Sequence, residues 1–210
     1  MPIYVVGAGP WDPELLTVRA IKVISKADVI YYGSLVNSDV LKMYGKEAEK
    51  VYMGHVKGTE HERYLQEALR LADKGLNVVF LKNGDPTLFG RGVNICLEAQ
   101  RRGIECGIVP GVSSLTAAAA RALVELNGIV ALMAYPKINL NVDADVKAVF
   151  MASNLAGELV NSLKPNEEAV FVSRATYPDE AIYRVSKGGP VPNIARPAIV
   201  FIVRRGHEGH

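Results

Sequence analysis

Cysteine, tryptophan and long apolar runs are all scarce in this chain. Its 210 residues include two cysteines and one tryptophan. Cys96 and Cys106 fit neither the disulfide framework of a small secreted domain nor a zinc-ligand spacing, so reduced structural thiols are expected. No stretch approaches the roughly 20 continuous apolar residues of a membrane span. Met1-Pro2 lead directly into a strand-like run with no basic leader, so a cytoplasmic protein without a membrane partner is expected. Neither sign of charge dominates: 24 basic against 22 acidic residues leave +2, which argues against a nucleic-acid partner. An acidic ligand would have to be met by local Arg and Lys. The HEGH at 207–210 lacks the H-E-x-x-H spacing, and no metal site is expected.

A third glycine is missing as well. VVGAGPWDPELLT, residues 5–17, begins like a dinucleotide fingerprint, but Asp12 stands where G-x-G-x-x-G needs glycine. Ile3–Val6 reads as a β-strand, and the apolar spacing of Leu15, Leu16, Val18, Ala20, Ile21 and Ile24 predicts a helix with Asp12 as N-cap and Pro13 first. Strands are expected at Val29–Tyr32, Val51–Met53, Val78–Leu81 and Glu105–Val109. A helix opens with the Thr59/Glu62 capping box and ends at Gly75; another runs from Val93 to Arg102 and stops at Gly103. This β-loop-α order predicts a mainly parallel sheet with glycine loops at the carboxyl ends of its strands.

The texture changes after Pro110-Gly111. An alanine-rich helix from Ser114 to about Leu126 precedes apolar runs at 129–134, 148–151, 169–172 and 198–203, which predict a second, mixed sheet. The expected organisation is α/β throughout: an N-terminal domain over 1–110 and a C-terminal domain over 111–210.

Three loops carry the chemistry. GAGP is weak alone, since glycines often serve only tight turns. In KNGDPTLFGRG, Gly84 admits a close ligand approach, Asp85 offers a carboxylate and Pro86 stiffens the turn, although a purely structural turn would use the same residues. In PGVSS, the hydroxyls of Ser113 and Ser114 either cap the following helix or meet a ligand.

Taken together, GAGPWDPELLTVRAIKVISKADVI, LKNGDPTLFGRG, IVPGVSSLTAAAA, VSRATYPDE and RPAIVFIV resemble the tetrapyrrole methylases in order and spacing over nearly the whole chain. The resemblance implies two α/β domains, S-adenosylmethionine folded into the cleft between them, and a homodimer. It places cofactor contacts on Pro10, Asn83, Gly84, Asp85, Leu88, Ser113, Ser114, Met151, Ala175 and Ala198. Small loop residues suit this ligand, because they let backbone groups meet its adenine, ribose hydroxyls and amino-acid end. The acceptors of the family are ringed with carboxylates, so a basic rim is expected from Arg91, Lys82, Lys57, Arg63 and Arg121.

Within the family, the uroporphyrinogen-III methylases have YDxLV and VGKR, where this chain has YYGSLV and YMGHVKG, placing Gly33 and His55 at the proposed base and acid. KNGDPTLFGRG resembles that subgroup, whereas SLVNSDVL and RATYPDEAIYR resemble the precorrin-4 and cobalt-precorrin-4 C11-methyltransferases. The expected activity is C11 methylation of such a ring in cobalamin biosynthesis, with uroporphyrinogen-III methylation as the alternative. His55 is the candidate catalytic proton donor, since imidazole titrates near neutrality. A non-catalytic S-adenosylmethionine sensor is the competing class. A dinucleotide oxidoreductase is disfavoured by Asp12 and by Tyr31-Tyr32-Gly33, where a ribose-binding acid belongs.

Overall fold

The computed structural model describes residues 2–54 and 59–205, with the side chain of Thr59 outside the described set. The chain divides into two compact units, Met1–Ser114 and Leu115–His210. The first contains β1 (Ile3–Gly7), α1 (Val18–Ile24), β2 (Val29–Tyr32), α2 (Ser38–Tyr44), β3 (Glu49–Tyr52), α3 (Thr59–Asp73), β4 (Val78–Lys82), α4 (Gly92–Arg101) and β5 (Cys106–Val109). Its strands pair in parallel in the order β3-β2-β4-β1-β5.

Both faces of this sheet are covered, and the strands divide their residues between them with period two. Ile3, Val5, Val29, Tyr31, Val78 and Phe80 pack with Leu65 and Leu69 of α3 and Ile95 and Ala99 of α4. Val6, Ile30, Val79 and Leu81 pack with Ala20 and Ile24 of α1 and Val40 and Leu41 of α2. This is why β4 reads as an unbroken apolar run rather than an alternating one.

Two local expectations change. The helix expected from Asp12 is split. Asp12 caps only a 3₁₀ turn at Pro13–Leu15, accepting from the Glu14 amide at 2.9 Å. Leu16 is then extended, and Thr17 caps α1 through the Ala20 amide at 3.1 Å. Two successive capping side chains are satisfied, and each claims its own start.

Cys96 and Cys106, expected as reduced thiols, form a disulfide. The turn at Gly103 folds α4 back onto β5 and brings their Cα atoms to 5.1 Å, a tertiary proximity that the ten-residue spacing does not reveal.

The second unit includes α5 (Ser114–Ala122, its first residue in the first unit), β6 (Val130–Ala134), β7 (Val146–Phe150), α6 (Ala156–Ser162), β8 (Glu167–Ser173), β9 (Ala181–Ser186) and β10 (Ala198–Arg204). The sheet order is β6-β7-β10-β8-β9, with β6 and β7 parallel and the other pairs antiparallel. One face buries Val149, Ala169, Phe171, Val200 and Ile202 with Leu159, Val160 and Leu163 from α6 and its C-cap. α5 stops at Ala122, four residues short of the expectation, because Leu123 turns left-handed at φ 52° and the Val124 amide reaches back to the Ala119 carbonyl at 2.9 Å. α2, α6 and β9 have no counterpart among the sequence expectations. No helix among the described residues is long and apolar enough to cross a membrane.

Candidate functional site

The strand order of the first unit decides what its loops can do. β1 lies between β4 and β5, so GAGP, KNGDP and PGVSS leave adjacent strands at the same carboxyl edge. They close on one another through three glycines. A Cβ on Gly7 would stand 2.6 Å from the Cα of Gly111 and 2.7 Å from the carbonyl oxygen of Gly84. Only hydrogen fits there, and the glycines permit backbone to pack on backbone.

Hydrogen bonds fix the same arrangement. The Gly84 amide donates to the Gly9 carbonyl at 2.8 Å and the Ala8 amide to the Lys82 carbonyl at 2.7 Å. Asp85 ties two loops together. One carboxylate oxygen accepts from the amide and hydroxyl of Thr87, and the other accepts from the Gly111 amide at 3.1 Å. The carboxylate predicted as a ligand contact therefore also acts as a loop clamp. The Leu88 amide closes the turn onto the Asp85 carbonyl at 3.3 Å.

Of the other predicted contacts in this unit, Pro10 is buried, and its carbonyl accepts from the Asp12 amide at 2.9 Å. Asn83 has its side-chain oxygen buried without a hydrogen-bond partner among the described residues, an uncommon state for a buried acceptor. Ser114 opens α5, and a Cβ on Gly84 would lie 3.3 Å from its amide. Ser113 is half-buried in the loop before it. Sequence reasoning missed Asn37. It caps α2 through the Asp39 amide at 2.9 Å and donates to the Trp11 carbonyl at 3.1 Å, joining the SLVNS stretch to the first loop.

In the second unit, the strand register brings Met151, Ala175 and Ala198 to one sheet edge. Ala198 pairs with Ser173, two residues before Ala175, and Ile199 pairs with Phe150, which precedes Met151. Met151 is left-handed at φ 58° and exposed. The SRATYPDE loop beside it is braced: Arg174 bonds the Arg196 carbonyl at 2.9 Å, pairs with Asp179 and lies over the Tyr177 ring. Glu180 takes the Thr176 amide at 2.7 Å and the guanidinium of Arg121 at 2.8 Å, so this predicted rim cation is held by an internal ion pair.

The remaining rim cations divide. Arg63 lies 5.0 Å from the centre of the Tyr64 ring on the exposed side of α3. Arg91 stands at the N-cap of α4 with no side-chain capping bond. Lys82, at the end of β4, has its ammonium held down to about 8 by burial and by the charge of Arg91. His55 and Lys57 lie outside the described residues, as does the HEGH end. Among the described residues no cluster of His, Cys, Asp or Glu could hold a metal ion.

A parallel sheet whose carboxyl-edge glycine loops converge, followed by a mixed sheet with a braced loop edge, defines a two-unit α/β protein. The family model for Tetrapyrrole (Corrin/Porphyrin) Methylases matches residues 2–188, and the chain belongs to that family. The uroporphyrinogen-III C-methyltransferase of Bacillus subtilis is 43% identical over 123 residues, which are 57% of this chain and 48% of that protein. The chain spans about half or less of the length of the curated relatives it matches. Two solved structures share the fold along their length. One is uroporphyrin-III C-methyl transferase from Thermus thermophilus complexed with S-adenyl homocysteine (TM-score 0.82, 30% identity, 97% of each chain). The other is a cobalt precorrin-4 methyltransferase (TM-score 0.83, 27% identity, 96% of this chain and 94% of that one).

Proposed function

We propose that the chain is an S-adenosylmethionine-dependent C-methyltransferase acting on a tetrapyrrole, and that its acceptor is carbon 11 of a precorrin-4 or cobalt-precorrin-4 ring. The observation that carries this reading is the meeting of the GAGP, KNGDP and PGVSS loops on Gly7, Gly84 and Gly111, with the buried side-chain oxygen of Asn83 beside them left without a hydrogen-bond partner among the described residues. An acceptor in that position suits the ammonium or a ribose hydroxyl of the cofactor. Pro10, Gly84, Asp85, Leu88, Ser113 and Ser114 are the proposed contacts around it, and within the second unit Met151, Ala175 and Ala198 are.

When bound, the cofactor would supply an electrophilic methyl group on a sulfonium, to be transferred to the electron-rich ring carbon with loss of the thioether S-adenosylhomocysteine. The chain's task is placement: loops held by backbone packing keep donor and acceptor at a fixed separation and exclude water, and no covalent enzyme nucleophile is involved. Arg91, Lys82, Lys57 and Arg63 are the proposed partners of the ring's carboxylates, and Arg121 joins them only if its pair with Glu180 opens. His55 is the proposed proton donor; an unchanged turnover in His55→Ala would remove that role.

SLVNSDVL and RATYPDEAIYR support the C11 assignment. The 43% identity to a uroporphyrinogen-III C-methyltransferase, together with KNGDPTLFGRG, supports uroporphyrinogen III as the second reading. Incubation with labelled S-adenosylmethionine and a panel of uroporphyrinogen III and early precorrins, followed by mass and positional analysis, separates them. Label at carbon 11 supports the first reading and label on uroporphyrinogen III the second. Cofactor binding with no transfer to any ring leaves a sensor. A cytoplasmic homodimer is the proposed state, checked by sedimentation and by fractionation.

A further inference from the structure

α3 and α4 flank a pocket of about 450 Å³ whose lining includes His61, Glu62, Leu65, Arg91, Ile95 and Glu98. Its charges are unevenly spent. Glu98 is engaged by Arg101 at 3.0 Å and by Arg102 at 3.4 Å, and Glu62 accepts from Gln66. Three basic groups have no such partner among the described residues. The Nε2 of His61 is buried without a hydrogen bond. Arg91 makes no side-chain cap or ion pair. Lys82, which does not line the pocket, places its ammonium over the Phe80 ring, 5.8 Å from its centre. These groups act on one another: burial, then the charges of Lys82 and Arg91, hold the His61 imidazole below its ordinary range, with Glu62 opposing.

A buried imidazole nitrogen with no hydrogen bond among the described residues costs free energy that a bound polar group relieves, and the exposed Arg91 guanidinium lines the same pocket. A carboxylate matches the fork of the Arg91 guanidinium and leaves an oxygen for His61. The apolar walls of Leu65 and Ile95 suit the methylene stem of an aliphatic acid.

We propose that His61 and Arg91 form a seat for one carboxylate arm of the acceptor ring, with His61 as a specificity-determining residue. Naming the arm's owner rests on the tetrapyrrole reading above; the seat for an aliphatic carboxylate stands without it. Because the seat contains an imidazole, occupancy is coupled to a proton. The carboxylate stabilises imidazolium against Lys82, Arg91 and burial, so binding takes up a proton and weakens as pH rises. Glu62 already favours the charged form, and Glu98 is held by Arg101 and Arg102 on the same wall.

The test uses the full chain with succinate as the probe. The His61 ring is followed by NMR through a pH titration, and its signals are assigned among the four histidines with His61→Gln. The expected result is a midpoint below the ordinary imidazole range that moves up by about one unit with succinate, which corresponds to roughly tenfold tighter binding to the charged ring. Arg91→Gln, with thermal unfolding confirming its fold, should abolish the movement. An equal concentration of inorganic phosphate should move the midpoint less than succinate. A His61 midpoint indifferent to succinate, or one that responds equally in Arg91→Gln, overturns the proposal, as does a larger response to phosphate. With a ring substrate, His61→Gln should raise KM about tenfold with kcat nearly unchanged, and an unchanged KM counts against the seat. If no ring is methylated while the succinate response persists, the seat stands and the methyltransferase reading falls.

Discussion

Replacing Gly7 with alanine tests the packing on which the proposed cofactor site depends. The new Cβ would stand 2.6 Å from the Cα and amide nitrogen of Gly111 and 2.7 Å from the Gly84 carbonyl oxygen. Ordinary contact needs about 3.4 Å or more, so the backbones must part by several tenths of an ångström. They are not free to do so, because Gly84 bonds Gly9 at 2.8 Å and Gly111 bonds Asp85 at 3.1 Å. Overpacking of this kind costs about 1–3 kcal/mol, and one or two weakened hydrogen bonds add about 1 kcal/mol each. The expected loss is about 2–5 kcal/mol, or roughly 1–2 M in urea midpoint. Trp11, the single tryptophan, lies in the first loop, so its fluorescence reports the unfolding of the first unit. Calorimetry with S-adenosylhomocysteine should show affinity falling at least tenfold, by the same loop separation. Gly33→Ala is the control. Among the described residues its Cβ would meet only the Gly54 carbonyl, at 3.5 Å, and a change within about 0.5 kcal/mol is expected. If Gly7→Ala matches this control in both midpoint and affinity, the three loops do not pack as described and the reasoning fails.

Asp85→Ala should destabilise the first unit by about 2 kcal/mol and weaken cofactor binding, because the Gly111 amide loses a charged acceptor; hydrogen exchange at Gly111 would show the loosening. Lys82→Met should stabilise the protein at neutral pH by about 1–3 kcal/mol. The folded ammonium titrates at about 8, while the unfolded one titrates near 10.4. Its burden is therefore full below pH 8 and fades as pH rises towards 10, so denaturation of wild type and variant should converge at alkaline pH; parallel curves would refute this. In the second unit, Lys147 and Glu167 form a buried pair at 2.8 Å. Lys147→Ala should cost about 3–5 kcal/mol, and Lys147→Met with Glu167→Leu much less. Burial alone would raise the Glu167 carboxyl, but the hydrogen bonds from Lys147 and the Lys164 amide, with both lysine charges, hold it below its ordinary value. The pair's contribution is thus complete above the unfolded carboxyl range and lost as pH falls through the depressed folded value, which acid denaturation of the double variant would reveal by its flatter profile.

Local rules made part of this protein legible. Gly75 and Gly103 announce their helix ends because a left-handed turn suits glycine, and the amides of Leu76 and Ile104 complete the same closure at both. Leu123 makes an equivalent turn with a side chain that carries no such signal, so periodicity alone extends α5 past Ala122. Asp12 and Thr17 are both good caps, and sequence periodicity could not show that each would start its own turn.

What the order of residues determined by itself was the alternation of buried strands with amphipathic helices and the place of each glycine loop at a strand end, since both follow from side-chain periodicity and backbone sterics over a few residues. Only the tertiary structure decided that β1 lies between β4 and β5, and with it the meeting of Gly7, Gly84 and Gly111, the joining of Cys96 to Cys106, and the grouping of His61 with Lys82 and Arg91. Those juxtapositions depend on strand order and helix packing, which bring together residues whose separation along the chain says nothing of their distance in space.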